Sequence, residues 1–392
     1  MTMTMTWNTD MAYAFNPYKI LTLPLGIWPL QNYNTFALIR SIVCCSSLTV
    51  LMILVFLEIT CGNNNAYVQL DNLEIIFCSI LALLKLLSFR IYANNLIRNF
   101  SSAMKDYLAI DTEEKRTIMR RHAYMGRLIC YSVLSLAYLA SILFMLVALI
   151  ADNEEVRANV SKSQMSQLPV PLTFLGEVHV STGVYMLISI FQYMVLTLTT
   201  TSNCGNDSLI LAIILHICGQ MEVLKIEFNN YDVKNKSKSF SALALRHYYL
   251  IEHAELLVNV ISFVLLLQML FSCLFVSLMG FQFILALKTN DAVMIFKTTI
   301  VLTALMLQLF FYSIVGDYLK YQMEEVGHSI YNCNWYDFPL ILMRNVLFVI
   351  MRSQQPVQLL AGRFFVVDIK SYMAIVKSAI SYISVLRVMV DE

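Results

Sequence analysis

The sequence predicts an all-α membrane protein with seven transmembrane helices, and three observations support this fold class. Hydrophobic residues make up 58% of the 392 residues and charged residues only 14%, whereas soluble domains carry about 25% charged residues. Seven apolar runs have, or approach, the length of about 20 residues that a helix needs to cross a bilayer. Basic residues are concentrated in two of the segments between these runs, which indicates a fixed orientation in the membrane.

The seven apolar runs differ in how clearly they predict a membrane span. They cover residues 41–59, 73–89, 128–151, 182–201 (or, as an alternative, 182–218), 256–285, 293–315 and 364–386. The third run is the clearest, because it contains no charged residue. The second run contains Lys85, which we interpret as a lysine whose ammonium group reaches back to the nearby membrane interface.

The segments between the runs predict the orientation of the chain. Eight Lys or Arg residues lie between the second and third runs and five between the fourth and fifth, whereas the segment 60–72 has none. Basic loops stay in the cytoplasm, so we predict a cytoplasmic amino terminus and an extracellular carboxyl terminus. Asn159, in a glycosylation sequon of the second external loop, is then the predicted glycosylation site.

The same pattern divides the chain into four segments. Residues 1–40 are predicted to form a cytoplasmic amino-terminal segment with a re-entrant or interfacial helix, and residues 41–315 hold the first six spans. Residues 316–357 are predicted to be a cytoplasmic anchor for subunit contacts, because their apolar run is too short to cross a membrane and ends before Pro356. Residues 358–392 hold the seventh span, so the last helix is split into a cytoplasmic and a membrane-crossing part.

The seventh run is unusual because polar residues interrupt it. Lys370, Lys377, Ser378, Ser381 and Ser384 all lie within it. Polar side chains inside a membrane are costly unless they face protein or a water-filled path. This helix is therefore predicted to border an aqueous pathway.

Composition and spacing argue against several other classes of protein. A net charge of +1 with no separate basic patch argues against binding to nucleic acid. The nine Cys residues lie mostly in apolar runs, and neither they nor the six His residues have the spacing of a metal or catalytic site. We therefore expect no metal, no cofactor and no enzymatic activity.

A receptor that couples to G proteins also fits poorly. Such receptors have the opposite membrane orientation, and their spans contain prolines that bend the helices. All seven Pro residues of this chain lie outside the predicted spans. A G-protein-coupled receptor is therefore the less favoured alternative.

The segment after the sixth span carries a specific pattern of residues. It contains, in order, Tyr331, Asn334, Trp335, Tyr336, Arg344, Arg352, Gln354, Pro356, Ala361, Gly362, Phe364, Ser371, Ile375, Lys377, Ser381, Tyr382 and Leu386. This pattern resembles the carboxyl-terminal signature of the insect odorant receptors, and residues 25–29 resemble the opening of that family. Ile383 stands where many members have Phe, and the long second cytoplasmic loop of the shared co-receptor is absent. The chain thus resembles a ligand-tuning subunit.

The resemblance implies a ligand-gated, non-selective cation channel. In this family a tuning subunit assembles with the co-receptor into a heterotetramer and binds a small volatile odorant. The implied ligand pocket lies in the outer halves of spans 2 to 6, where aromatic and Met side chains supply contact area and hydroxyl groups set orientation. The residues selected there are Phe77, Ile80, Ser141, Phe144, Met145, Tyr185, Ser189, Tyr193, Phe271, Phe296, Thr299 and Thr303.

The resemblance also implies that the last helix lines a central pore. Val385 occupies the family's gate position, and Leu386 and Met389 beside it are apolar residues of the kind that close a pore by excluding water. Lys377 and Ser381 are predicted to line the pore. A lysine there repels cations unless it faces a subunit boundary or a vestibule in which water screens its charge.

The implied subunit anchor includes Trp335, Tyr336, Arg344 and Arg352. Membership would place the chain in the plasma membrane, in contact with lipid, and in the dendrites of olfactory sensory neurons. A gustatory-type ligand-gated channel of the same superfamily is the alternative. Such a channel would respond to nonvolatile tastants without the co-receptor.

Overall fold

The computed structural model describes residues 7–31, 34–62, 66–157, 168–175, 181–231 and 240–391. Within these residues the chain forms ten α-helices, two short 3-10 turns and one two-stranded hairpin. The helices are α1 (Thr9–Thr22), α2 (Thr35–Cys61), α3 (Ala66–Ile91), α4 (Ala93–Leu108), α5 (Glu113–Arg157), α6 (Thr182–Asn229), α7 (Phe240–Thr289), α8 (Ala292–Tyr331), α9 (Leu340–Ser353) and α10 (Ile369–Asp391). The strands are β1 (Leu360–Ala361) and β2 (Phe365–Val366).

Six helices are long and apolar enough to cross a membrane among the residues that the structure describes. They are α2, α3, α5, α6, α7 and α8, and each contains one of the first six predicted runs. The chain is therefore a multi-span helical membrane protein. The predicted seventh span corresponds to α10, which has 23 residues, and its crossing of the membrane stays a prediction.

Helix α2 shows how these spans divide their surfaces. One stripe is buried against the bundle, and its residues recur every three or four positions: Ala37, Ser41, Cys44, Leu48, Leu51, Val55 and Glu58. The other faces carry exposed apolar residues such as Phe36, Ile42 and Phe56. An apolar helix with one buried stripe and large apolar groups outside it suits contact with lipid.

Four of the helices are much longer than the predicted spans. Helices α5, α6, α7 and α8 contain 45, 48, 50 and 40 residues. A 50-residue helix is about 75 Å long, more than twice the thickness of a hydrocarbon core of about 30 Å. The basic segments predicted between the spans are therefore largely helical, and α8 runs without a break across the predicted segment boundary at 315/316.

Helix α1 packs at the basic end of the bundle. Phe15 and Tyr18 are almost fully buried, and Phe15 contacts the rings of Phe100 and Tyr107 at centroid distances of 5.7 and 5.8 Å. The carboxylate of Asp10 lies 2.9 Å from Arg116 Nε on α5. The amino-terminal segment is thus part of the helical bundle rather than a separate unit.

A β-hairpin separates α9 from α10. Leu360 pairs with Val366 and Ala361 with Phe365, and the turn begins at Gly362, whose φ of 64° is in the left-handed region that favours glycine. The Gly362 N–H donates to the Ser262 carbonyl of α7 at 2.9 Å. This pairing corrects the predicted start of the last helix at residue 364, because Phe365 and Val366 belong to the hairpin and α10 begins at Ile369.

Candidate functional site

Helices α3, α5, α6, α7 and α8 surround a cavity of about 170 Å³. Its walls are mainly apolar, with a small number of polar groups. The lining residues are Glu74, Ile75, Cys78, Leu81, Val133, Ala137, Ala140, Ser141, Phe144, Leu196, Thr199, Thr200, Asn203, Cys204, Gln268, Phe275, Val301, Ala304, Leu305 and Gln308. A concave apolar site with a few placed polar groups is the usual form of a small-molecule site.

An ion pair between α3 and α8 lies near one end of the cavity, beside the lining residue Phe144. The Lys297 ammonium lies 2.5 Å from Asp71 Oδ2 and 4.4 Å from the centre of the Phe144 ring. Gln282 Nε2 of α7 donates to Asp71 Oδ1 at 3.0 Å. Glu74, one helical turn beyond Asp71, faces the cavity itself. We call this the Asp71 end.

A second buried ion pair lies at the opposite end. Lys85 Nζ is 2.7 Å from Asp207 Oδ1, and the two side chains are 0% and 3% exposed. Gln308 Nε2 also donates to the Asp207 carboxylate, and Gln308 lines the cavity. We call this the Asp207 end. Asp71 and Lys85 are fourteen positions apart on α3, so the two ion pairs are about 21 Å apart along the helix.

The position of Lys85 corrects our sequence-based interpretation. Its side chain does not reach an interface but is fully buried beside Asp207 of α6. A buried charge is tolerated when a counter-charge and hydrogen bonds satisfy it. The partner lies 122 positions away, which explains why the apolar run around Lys85 alone gave no indication of the pair.

Two of the predicted ligand-binding residues line the cavity, Ser141 and Phe144. Two more lie directly behind its wall, because the Phe77 ring is stacked on Phe271 at 5.4 Å and meets the cavity-lining Phe275 edge-on at 6.0 Å. The Met145 side chain lies outside the described part of the structure.

The remaining predicted ligand-binding residues lie away from the cavity lining. Tyr185, Ser189 and Tyr193 come too early on α6, whose lining residues are Leu196, Thr199, Thr200, Asn203 and Cys204. Ile80 is half-buried on α3 outside the lining. Phe296 and Thr299 are exposed, and Thr303 lines a groove between α8 and α10. Their contact with ligand stays a prediction.

Sequence reasoning missed the most polar part of the cavity. Glu74, Asn203, Gln268 and Gln308 line it, and each lies in a predicted or observed apolar helix. A polar residue within a membrane helix is itself a signal of a functional site. That signal was present in the sequence at Glu74, Gln268 and Gln308, which all lie in predicted spans.

Helix α10 has two different faces. Tyr372, Val376 and Ile383 are partly buried, and Ile383 fits against Gly280 of α7, where an added Cβ would collide with it. The predicted pore residues Lys377, Ser381 and Val385 are exposed in the single chain, Val385 to 58%. The side chains of Leu386 and Met389 lie outside the described part of the structure.

The predicted anchor residues cluster around the short 3-10 turn Trp335–Asp337 and α9. Tyr336 is 62% exposed, and Arg344 is exposed. Arg352 lies 2.6 Å from Glu255 of α7. Helix α9 buries Val346 and Val349 but exposes a row of large apolar side chains, which are Leu340, Ile341, Leu347, Phe348 and Met351.

A polar network joins the helices at the basic end of the bundle. Asp106 of α4 accepts hydrogen bonds from His216 Nε2 at 3.0 Å and from Arg246 at 2.5 Å. Burial alone raises the pKa of the Asp106 carboxyl, but the hydrogen bond and charge of His216, together with Arg246, outweigh it and hold the pKa below its ordinary value. No group of three or more potential metal ligands occurs among the described residues. The predicted glycosylation site, Asn159, lies outside them.

Comparison with known proteins identifies the family of the chain. The sequence model described as 7tm Odorant receptor matches residues 67–380, which is well over half of the chain. The chain belongs to the insect seven-transmembrane odorant receptor family. This odorant receptor is accordingly a multi-pass membrane protein, and its family is not enzymatic.

Sequence relatives of this odorant receptor occur in Drosophila melanogaster. Odorant receptor 9a is 28% identical over 184 residues, which are 46% of each protein. Odorant receptor 2a is 24% identical over 221 residues, which are 53% of this chain and 56% of that one. The chain thus spans about half the length of the curated relatives it matches.

A solved structure extends the similarity over nearly the whole chain. The insect olfactory receptor OR5 from Machilis hrabei, in complex with eugenol, superimposes with a TM-score of 0.78 and covers 96% of this chain and 99% of its own. The sequences are 15% identical, so this likeness shows that the two proteins share a fold.

Proposed function

We propose that this odorant receptor is the ligand-tuning subunit of a ligand-gated, non-selective cation channel that it forms with the odorant receptor co-receptor. A small volatile molecule binds in the cavity and favours an open central pore. The mostly apolar cavity within the helical bundle carries this proposal. Such a cavity suits a small apolar molecule with few hydrogen-bonding groups.

The size of the cavity supports a volatile ligand. A volume of about 170 Å³ accommodates a molecule of the size of a substituted benzene or a short aliphatic chain. Burial of apolar surface contributes roughly 25 cal/mol per Å², so a compact apolar ligand gains most of its affinity by leaving water.

The surface of α10 supports a pore between subunits. Lys370, Lys377, Ser378 and Ser381 are all exposed on one chain, and lipid is an unfavourable neighbour for them. In the proposed tetramer this face borders a water-filled pore, with α10 as the seventh span. Val385, Leu386 and Met389 form the apolar constriction, and Lys377 lies at a subunit boundary or in a wide vestibule.

The exposed apolar row of α9 supports subunit contacts outside the membrane. Large apolar patches on a protein surface mark interaction sites. Leu347, Phe348 and Met351 are about three-fifths exposed, and Trp335, Tyr336, Arg344 and Arg352 lie beside them in the proposed anchor. The anchor is cytoplasmic in the proposed orientation, and the channel lies in the plasma membrane of olfactory neuron dendrites.

Ligand binding must favour the open state to open the channel. Moving a closed population of 99% to an open population of 99% takes about 5.5 kcal/mol of differential binding energy. The odorant therefore has to fit the open form of the cavity better than the closed form.

Current recording tests the proposed function. Cells that express this chain with the co-receptor should carry an inward cation current when volatile compounds are applied. Ala304→Phe should abolish this current by filling the cavity, whereas Val50→Phe, on the 45% exposed surface of α2, should leave it unchanged. Surface labelling checks that both variants reach the membrane, and Ala140→Met provides a milder filling variant.

Two results would contradict the proposal. If the odour-evoked current persists in both cavity-filling variants, the ligand binds elsewhere. If the chain alone responds to nonvolatile tastants and gains nothing from the co-receptor, it is a gustatory-type channel.

A further inference from the structure

The cavity exposes hydrogen-bond acceptors that have no partner. Gln268 is 3% exposed and lines the cavity, and its Oε1 has no hydrogen-bond partner within the described structure. The Oδ1 of Asn203, a second lining residue, is also buried and unpaired there. Buried polar atoms normally have a partner, so each unpaired oxygen needs an explanation.

Each amide nitrogen of the same two residues already donates one of its two hydrogens, so each has at most one hydrogen left to donate. Asn203 Nδ2 donates to the carbonyl of Cys78 at 3.0 Å. A carbonyl can only accept, so this bond sets the orientation of the amide and directs Oδ1 away from Cys78. Gln268 Nε2 donates to Ser272 Oγ at 3.1 Å. Gln308 Nε2 likewise donates to the Asp207 carboxylate.

The hydroxyl groups of the cavity wall have also used their hydrogens. Thr199 Oγ1 donates to the Val195 carbonyl at 2.9 Å and Thr200 Oγ1 to the Leu196 carbonyl at 3.1 Å. Ser141 Oγ lies 3.0 Å from the Ala137 carbonyl and 2.8 Å from Thr200 Oγ1, and its single hydrogen is donated to one of these two oxygens. A hydroxyl has one hydrogen and two lone pairs. These groups can therefore accept a further hydrogen bond but have no hydrogen left to donate.

The lining also contains a carboxyl group and two thiols. The Glu74 carboxyl only accepts when it is ionised, and when it is protonated it keeps an accepting oxygen beside one O–H donor. The thiols of Cys78 and Cys204 are weak donors. Among the described lining residues, Gln268 Oε1 and Asn203 Oδ1 are therefore acceptors with no partner, and the strong donors left are at most the second amide hydrogens and a protonated Glu74 carboxyl.

We propose that the ligands of this cavity are hydrogen-bond donors, namely small volatile alcohols, phenols or amines, and that Gln268 Oε1 and Asn203 Oδ1 accept their O–H or N–H hydrogens. This inference rests on the proposed function and specifies its ligand class. Ethers, esters and hydrocarbons of the same shape are poorer ligands. They displace water from the two oxygens without replacing the hydrogen bond, and such a displacement loses affinity.

A matched series of ligands tests the inference. Phenethyl alcohol and 4-ethylphenol carry a neutral donor, whereas phenethyl methyl ether and ethylbenzene have nearly the same shape without one. Binding is measured as ligand-dependent thermal stabilisation of the purified full-length chain, and activation as current in cells with the co-receptor. One hydrogen bond corresponds to about a tenfold difference in affinity at most for neutral groups, so we expect the donors to bind up to about tenfold more tightly.

Two variants and one matched control locate the acceptors. Gln268→Leu and Asn203→Leu should remove the preference for phenethyl alcohol over ethylbenzene and leave the affinity for ethylbenzene equal or higher. Gln322→Leu is the control, because Gln322 is also 3% exposed and its Oε1 also has no hydrogen-bond partner within the described structure, yet it does not line the cavity. This variant should keep the preference. If Gln268→Leu fails to fold, Asn203→Leu and the wild-type ligand series still test the proposed ligand class.

The outcomes separate this inference from the proposed function. Donors that bind with the expected preference but evoke no current support the ligand class and contradict the channel. Currents of equal potency for phenethyl alcohol, its methyl ether and ethylbenzene support the channel and overturn the ligand class. The ligand class is also overturned if no donor of the series binds, or if Gln268→Leu and Asn203→Leu leave the preference intact.

Discussion

The lysine side chains near the cavity and those on the surface of α10 differ in their burial. Around the cavity, Lys85 and Lys297 are buried, and each has a carboxylate from another helix of the same chain within 2.7 Å. On α10, Lys370 and Lys377 are exposed. Both regions belong to a bundle whose outer surface is mainly apolar.

This difference shows which groups compensate the lysine charges in each region. A charge within a helical bundle must be neutralised by its own chain, because leaving it unpaired is costly. The described part of the structure contains no ion pair of Lys370 or Lys377, so these charges need water or, in the proposed channel, neighbouring subunits to solvate them. The cavity is formed by one chain, whereas the surface of α10 is completed by other subunits only in the proposed assembly.

Breaking a buried ion pair at the cavity should have the largest effect. Asp207→Leu leaves the Lys85 ammonium buried without its partner, and removing one member of such a pair costs about 3–5 kcal/mol. Thermal unfolding of the purified chain should show this loss. The double variant Lys85→Met, Asp207→Leu should recover much of it.

The exposed ion pair between Arg98 and Glu252 is the control for this experiment. Its side chains are 52% and 37% exposed, so Arg98→Met should cost at most about 1 kcal/mol. Equal losses for Asp207→Leu and Arg98→Met would mean that the cavity pair is not buried from solvent.

Packing between α7 and α10 should show the next largest effect. Gly280→Ala places a Cβ against the Ile383 side chain, and overpacking of this kind costs about 1–3 kcal/mol. The stability of the chain should fall, and Ile383→Ala should restore it in the double variant. Thermal unfolding measures both.

Gly183→Ala is the matched control, because no atom of the described residues lies within 4 Å of a Cβ at that position. This replacement should be neutral or stabilising, since alanine favours a helix by about 1 kcal/mol over glycine. A loss at Gly183 as large as that at Gly280 would remove packing against α10 as the cause.

The charge of Lys377 should have a smaller effect, and on conduction rather than stability. Two unit charges 4 Å apart in water interact by about 1 kcal/mol, so Lys377→Gln should raise the single-channel cation conductance a few-fold in the proposed channel. Lys377→Arg keeps the charge and should leave conductance near the wild-type value. An unchanged conductance in Lys377→Gln would place this side chain at a subunit boundary instead of the pore.

The ion pair of the anchor should have the smallest effect on the chain itself. Arg352 and Glu255 are 35% and 49% exposed, so Arg352→Gln should change the free energy of unfolding by no more than about 1 kcal/mol. Glu255→Gln should have a similar effect. A loss as large as that of Asp207→Leu would show that this pair is shielded from water.

Much of the fold could be predicted from the sequence. The first six apolar runs lie in six long helices, and the apolar run near residue 340 forms α9. Hydrophobic length is a strong signal, because a membrane imposes it directly. The ends of the helices were less predictable, since α6 continues to Asn229 through residues such as Asn203 and Asp207 that interrupt its hydropathy.

The candidate cavity was harder to predict, because the ends of each helix and its rotation about its own axis both determine which residues line the cavity. The predicted end of the fourth span at residue 201 placed its outer half around Tyr185 and Tyr193, whereas the lining lies further along α6. On α8, Thr299 and Thr303 lie on a different face from the lining residues Ala304 and Gln308. Which face of an apolar helix meets its neighbours depends on contacts between distant segments.

Helix α8 contributes to the wall of the cavity and also contacts α10. Ala304 and Gln308 form part of the cavity wall, while Phe310, on the other side of the helix, meets the Tyr372 ring of α10 at 5.7 Å. In the proposed channel, the thickness of one helix, about 10 Å, separates a ligand in the cavity from α10. A lateral displacement of α8 in the proposed channel therefore moves α10, which borders the pore. No helix has to shift along the membrane normal.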